Sequence, residues 1–176
     1  MEKEKYASYS FKIGSMIGGI VFLYHILMFH IAKDSPVLTR YIYMAIFIAG
    51  LAYAFVNYRR NIAVKPQVKF GRLMAIGTIV SLVVSLFYAL FVAVKIYKLD
   101  LTFIQNSIDM MATQMENMGL DASLYQDDRM YSLMQLVFPF SSFIGDFVGS
   151  VLLSLILSFF VSRTNAALPD DYEDEQ

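Results

Sequence analysis

Apolar residues in this chain are gathered into four blocks, separated by stretches rich in charge, proline and glycine. The blocks cover residues 13–32, 39–58, 70–94 and 136–161. Each is close to or beyond the ~20 residues an α-helix needs to cross a hydrocarbon core. Lipid offers a bare backbone no hydrogen-bond partner, and so short a chain makes no plausible barrel, so the blocks are expected to be helices. The expected fold is all-α: a polytopic membrane protein with four transmembrane helices in one domain, residues 1–165.

Between the third and fourth blocks the pattern changes. Over residues 95–135, Tyr97, Leu101, Ile104, Ile108, Met111, Met115 and Met118 recur at steps of four and three. That spacing draws one apolar stripe along an amphipathic helix. Gly119 is a natural stop, and Asp121 is placed to cap a second helix that starts near Ala122 and runs into the fourth block. The expectation is an extracytoplasmic amphipathic helical hairpin. The "KDSP" turn should make the first two helices antiparallel neighbours, and Lys65–Pro66 should break the chain before the third. Pro139 is read as marking the start of the fourth helix, in preference to kinking it near its outer end. Residues 166–176 carry five acids and no base and are read as a disordered, solvated tail.

Composition agrees with a membrane protein. Hydrophobic residues make up 57% of the chain and charged residues 16%, and the mean hydropathy is +0.54. The start "MEKEKYASYSFK" is charged, and the apolar run behind it lacks a small-x-small cleavage site, so it is read as a retained helix. Nine bases fall on one side of the spans (Lys3, Lys5, Lys12, Arg59, Arg60, Lys65, Lys69, Arg72, Arg163) and five on the other (Lys33, Arg40, Lys95, Lys98, Arg129). By the positive-inside rule both termini are expected to be cytoplasmic. A net charge of −1 without a basic, aromatic-rich stripe gives no reason to expect nucleic acid.

Candidate chemistry centres on Asp146, an acid inside the fourth block. A charged side chain at that depth costs about 2.5–3.5 kcal/mol on insertion scales, so it should face a partner or a cavity. Ser142, Asp146, Ser150, Ser154, Ser158 and Ser162 follow one another every four residues, with Gly145 and Gly149 beside them. His25 is the first candidate partner, because its depth differs from that of Asp146 by only about 5 Å at 1.5 Å per residue. Tyr24, Tyr88, Ser85 and Lys95 are alternatives. Asp146 then has three readings: a hydrogen-bonded strut between helices, half of a proton or ion relay with His25, or a contact to a partner subunit or lipid headgroup. Gly14 and Gly18, like Gly145 and Gly149, are small-xxx-small pairs suited to helix packing.

No cysteine occurs, and the two histidines are five residues apart, so no metal is expected. Met110, Met111, Met115 and Met118 could suit Cu(I), but three of them continue the apolar stripe, which reads better as a packing or partner surface. No paired carboxylates, Ser–His or Cys–His arrangement is present, so no enzyme activity and no cofactor are expected.

Four spans, the basic loop, "KFGRLMAIGTIVSLVVSLF", the Met-rich insert and a Gly/Ser-rich last helix ending "FFVSRTN" together resemble the DUF4199 membrane proteins of Bacteroidota. The resemblance covers about residues 10–165 and transfers no catalytic residue. Such proteins often occur beside a polyprenyl-phosphate-type glycosyltransferase, which implies an accessory role in envelope glycan or lipid assembly with that enzyme as partner. Residues and resemblance lead to a non-catalytic accessory or scaffold subunit in contact with lipid, as a homo-oligomer or with a membrane partner. The alternative is a small proton- or ion-coupled transporter or channel using Asp146 and His25.

Overall fold

The computed structural model describes residues 2–31, 36–61, 68–121 and 128–164. Its helices are α1 (Glu2–Ile31), α2 (Pro36–Asn61), α3 (Phe70–Val94), α4 (Phe103–Asn117) and α5 (Asp128–Thr164). Among the described residues there is no strand. Four helices are long and apolar enough to cross a membrane, over Tyr6–Ile31, Val37–Arg60, Phe70–Leu99 and Arg129–Arg163. The turn before Pro36, the break at Lys65–Pro66, the segment from Ala122 and the acidic tail lie outside the described residues.

α3 is the axis of the bundle. It packs along its length against α1 on one side and α5 on the other, whereas α2 lies on α1 and barely reaches α5. Small residues make the close approaches. A Cβ added at Gly14 would sit 3.0 Å from Cβ of Val83, one at Gly18 would strike the Phe87 ring, and one at Gly77 would lie 2.8 Å from Cβ of Ser154. The Ser81 and Ser154 hydroxyls meet at 3.0 Å, and Ser154 also donates to the Ser150 carbonyl at 2.9 Å. Apolar matching alone cannot draw helices together in lipid, so close packing and interhelical hydrogen bonds do that work here. α1 and α2 are antiparallel, tied by the hydroxyls of Tyr9 and Tyr24, which donate to the carbonyls of Ala54 (2.8 Å) and Thr39 (2.9 Å).

One buried cluster fills the half of the bundle where α1 begins, around Ile17, Phe47, Leu51, Phe55, Val80 and Val84. A second fills the end where α1 and α3 finish, around Phe91, Val92, Ile96, Ile104 and Ile108. α4 supplies the last two. Only the middle of its apolar stripe is enclosed: Ile104 and Ile108 are buried, Met111 and Met115 half-buried, and Met118 exposed. Tyr97 and Leu101 belong to no such helix. After Val94 the chain makes a π-helical turn, Lys95–Leu99, closed by the Asp100 amide on the Lys95 carbonyl at 2.8 Å, and α4 starts only at Phe103. This break moves Tyr97 and Leu101 off the stripe and leaves both exposed. α4 ends as its glycine requires: Gly119 takes φ 72°, and the Leu120 amide reaches back to the Met115 carbonyl at 2.9 Å.

The start of α5 corrects the reading of Pro139. The helix runs 37 residues from Asp128, with Pro139 inside it. Proline deletes one N–H and so frees the carbonyl four residues back, that of Gln135, but it does not stop a helix whose remaining turns are packed. Met130, Met134 and Phe138, before the proline, lie against the α4 cluster, and that contact carries the helix through.

The α3–α5 approach gives a direct test. Gly77→Leu is expected to lower the thermal stability of the detergent-solubilised protein by about 1–3 kcal/mol, the usual cost of overpacking. Gly145→Ala, where nothing lies within 4 Å, is expected to leave it unchanged or raise it by up to about 1 kcal/mol, because alanine is the better helix former. Equal effects in thermal melts would contradict this packing.

Candidate functional site

Because α2 and α5 hardly meet, a cleft opens between them at the end of the bundle where α1 and α3 finish. Its volume is about 960 Å³. Each helix contributes one face at steps of three and four: His25, Met28 and Phe29 from α1; Arg40, Tyr43, Met44 and Phe47 from α2; Tyr88 and Phe91 from α3, continued by Lys95 and Leu99; and Ser142, Gly145, Asp146, Gly149, Ser150 and Leu153 from α5. The two glycines keep the α5 wall low, since no atom lies within 4 Å of where their Cβ would be.

Asp146 projects from that wall and is held by two other helices. The Tyr43 hydroxyl donates to Oδ1 at 2.6 Å, and the Ser85 hydroxyl donates to Oδ2 at 2.7 Å. One side chain therefore joins α2, α3 and α5. A carboxylate offers about four acceptor positions, and these two bonds use half of them.

His25 lies beside this group and is not bonded to it. Its Nδ1 is 2.8 Å from the Val21 carbonyl. A carbonyl can only accept, so Nδ1 carries the proton. The ring is buried among aromatics, with centroids 4.9 Å from Phe91, 5.1 Å from Tyr88 and 5.3 Å from Tyr43. Tyr43 and Tyr88 stack at 5.9 Å and 20°. The tyrosine that bonds the acid is thus itself fixed by two rings.

Towards the open end the lining becomes charged, with Arg40, Lys95 and Asp100. Lys95 stands 4.1 Å over the Phe103 ring at the start of α4. The opposite end of the cleft stops at Phe47 and Leu153, against the first buried cluster.

The structure sorts the sequence candidates. His25, Tyr88, Ser142, Asp146 and Ser150 line one cleft, with Ser85 hydrogen-bonded to Asp146. The direct Asp146–His25 pair does not form; the acid takes hydroxyl partners, and the histidine satisfies its own helix. The four-residue serine series divides: Ser142 and Ser150 line the cleft, Ser154 faces α3, and Ser162 donates to the Phe159 carbonyl. Gly14 and Gly18 are occupied by α3 within the chain, while Gly145 and Gly149 face open space. Met111, Met115 and Met118 stand apart on α4, and among the described residues no three His, Asp or Glu cluster as metal ligands would. Sequence reasoning missed Tyr43. The usable signal was depth: Tyr43 lies about as far into α2 as His25 lies from the end of α1, at 1.5 Å per residue.

Two outcomes follow from this geometry. Tyr43→Phe and Asp146→Asn should each destabilise the protein, and the double variant should lose less than the sum, with a coupling of about 0.6–1.7 kcal/mol as for hydrogen bonds between membrane helices. Strict additivity in unfolding measurements would mean that the bond contributes nothing. Because the chain has no cysteine, Gly145→Cys gives a single thiol in the cleft. It should react with a membrane-impermeant maleimide from one membrane face only, and labelling from both faces would contradict a cleft with a closed floor.

A family model described as "Protein of unknown function (DUF4199)" matches residues 12–163. No curated protein and no solved structure matches the chain. The matched region contains the first candidate span from Lys12 onward, the other three entire and every residue that lines the cleft, and the chain belongs to the DUF4199 family.

Proposed function

We propose that the chain is an accessory protein of a bacterial inner membrane and works by binding rather than by catalysis or conduction. The observation that carries this reading is the one-sided cleft. It is roomy and polar where α1 and α3 finish, and it ends on buried Phe47, behind which Leu51, Phe55, Val80 and Val84 are packed without gaps to solvent. A concave site with a few polar groups set in apolar walls has the general form of a ligand site. A floor of packed side chains opposes passage.

The distribution of bases supports the orientation in which both termini are cytoplasmic. The cleft and α4 then face the outer side, where α4 and the first turns of α5 form the outer helical insert. In that orientation Leu101, ahead of α4, and Met118, at the exposed end of its stripe, are available to a membrane partner or a second copy. The family resemblance favours an envelope glycan or lipid assembly, with a polyprenyl-phosphate glycosyltransferase as the partner.

A second reading, a proton- or ion-coupled transporter, is favoured by one observation: Asp146 and His25 line the same cleft. Proteoliposomes separate the two. An accessory binding protein should pass protons and small cations no faster than empty vesicles, at any pH gradient, with or without Asp146→Asn. Flux above that background, abolished by Asp146→Asn, would establish the transporter. Purification from native membranes in mild detergent should yield a complex or a homo-oligomer, and a monomer at every expression level would argue against the accessory role.

A further inference from the structure

We infer that the cleft takes an amphiphilic organic cation, a compact positive group on a hydrocarbon body, with Asp146 as its counter-charge. This deepens the binding reading above and rests on it.

Consider first what Asp146 lacks. Both of its hydrogen-bond donors, Tyr43 and Ser85, are neutral hydroxyls. They orient the carboxylate and lower the cost of holding it at this depth, but they supply no opposite charge. Half of its acceptor positions remain, and the side chain is only partly covered because it lines the cleft. Among the described residues the bases of the cleft, Arg40 and Lys95, form no ion pair with it, and an ionisable group held so in a membrane protein is costly. A cation arriving from the cleft would supply the missing charge where local dielectric makes the attraction strong.

The wall beside the acid has the matching chemistry. Tyr43, Tyr88, His25 and Phe91 form one continuous aromatic group. Aromatic faces attract cations, most strongly where water is scarce, and a carboxylate beside such faces suits an organic cation better than a hydrated metal ion. Deeper in, half-buried Leu153 offers apolar surface to a hydrocarbon body above the floor formed by buried Phe47. The volume, about 960 Å³, is that of a drug-sized site. The slot between α2 and α5 passes over Gly145 and Gly149, where no atom of a neighbour lies within 4 Å of the Cβ positions.

The bases at the rim set the orientation. Lys95 is turned onto Phe103. Arg40 lies one turn above Tyr43 on α2, on the open side of the acid. A cation must sit below Arg40, against Asp146, with its apolar body towards Phe47. An anion would instead stop at Arg40 and leave the acid and the aromatic wall unused.

A pair of probes with one shape and opposite charge tests this: tetraphenylphosphonium and tetraphenylborate, titrated against the full chain in phosphatidylcholine nanodiscs. The phosphonium should bind saturably. Asp146→Asn should weaken it by about tenfold or more, the scale of a charge pair in a poorly screened site. Gly149→Leu, which fills the slot and leaves the acid in place, should weaken it similarly. Arg40→Gln should leave binding unchanged or tighten it. Circular dichroism and thermal melts on each variant separate lost binding from lost fold. Saturable borate binding that Arg40→Gln abolishes would overturn the cation inference and keep the cleft as a binding site. If neither ion binds saturably to the folded wild-type protein, the inference and the binding reading beneath it both fall.

Discussion

A polar group inside a hydrocarbon layer has no water to fall back on, so it must find its partners within the protein. Backbone amides meet that demand by forming helices. The Asp146 carboxylate meets it by reaching Tyr43 on α2 and Ser85 on α3. This one requirement ties together three of the four spans, and it does so between two of them, α2 and α5, that otherwise make few contacts. Without the acid there would be little to fix the width of the gap. With it, the gap is a defined cleft.

The rest of the bundle is organised to permit that gap. α3 takes α1 on one side through Gly14 and Gly18, and α5 on the other through Gly77, Ser81 and Ser154. Those contacts are close enough that a single added carbon is felt. They hold α5 firmly over its second half, where Ser154 lies, while the stretch from Ser142 to Ser150 stands away from α2. Tight packing on α3 and open space towards α2 are therefore two faces of one helix, separated by the alternation of small residues along it.

The large features were legible because they are sums over many residues. About twenty predominantly apolar residues per span outweigh any local exception, so the four spans and the all-helical class follow from hydropathy alone. Features that depend on a few atoms were not legible. Pro139 looked like a boundary because a proline disfavours a helix locally, yet the contact of Met130, Met134 and Phe138 with α4 outweighs that penalty. Tyr97 and Leu101 matched a stripe whose period the π-helical turn at Lys95–Leu99 interrupts. Asp146 was visible as an anomaly, and Ser85 was among its candidate partners. Tyr43 was not, because several tyrosines recur along the second span and spacing alone does not say which of them faces α5. Nor can spacing say whether a glycine pair is filled by a neighbour, as at Gly14 and Gly18, or left open, as at Gly145 and Gly149.

α5 runs without a break from Asp128 to Thr164, about 55 Å at 1.5 Å per residue, against a hydrocarbon core of ~30 Å. One end is gripped by α4, the other by α3, and Asp146 lies between the two grips. A rod held in this way yields first at its weakest rung. That rung is Pro139, about two turns before the acid, where one hydrogen bond of the ladder is missing. It lies between the α4 contact and Asp146, so a bend there would take up a displacement of α4 before it reached the cleft, and the surroundings of the partly covered acid are set by α2 and α3.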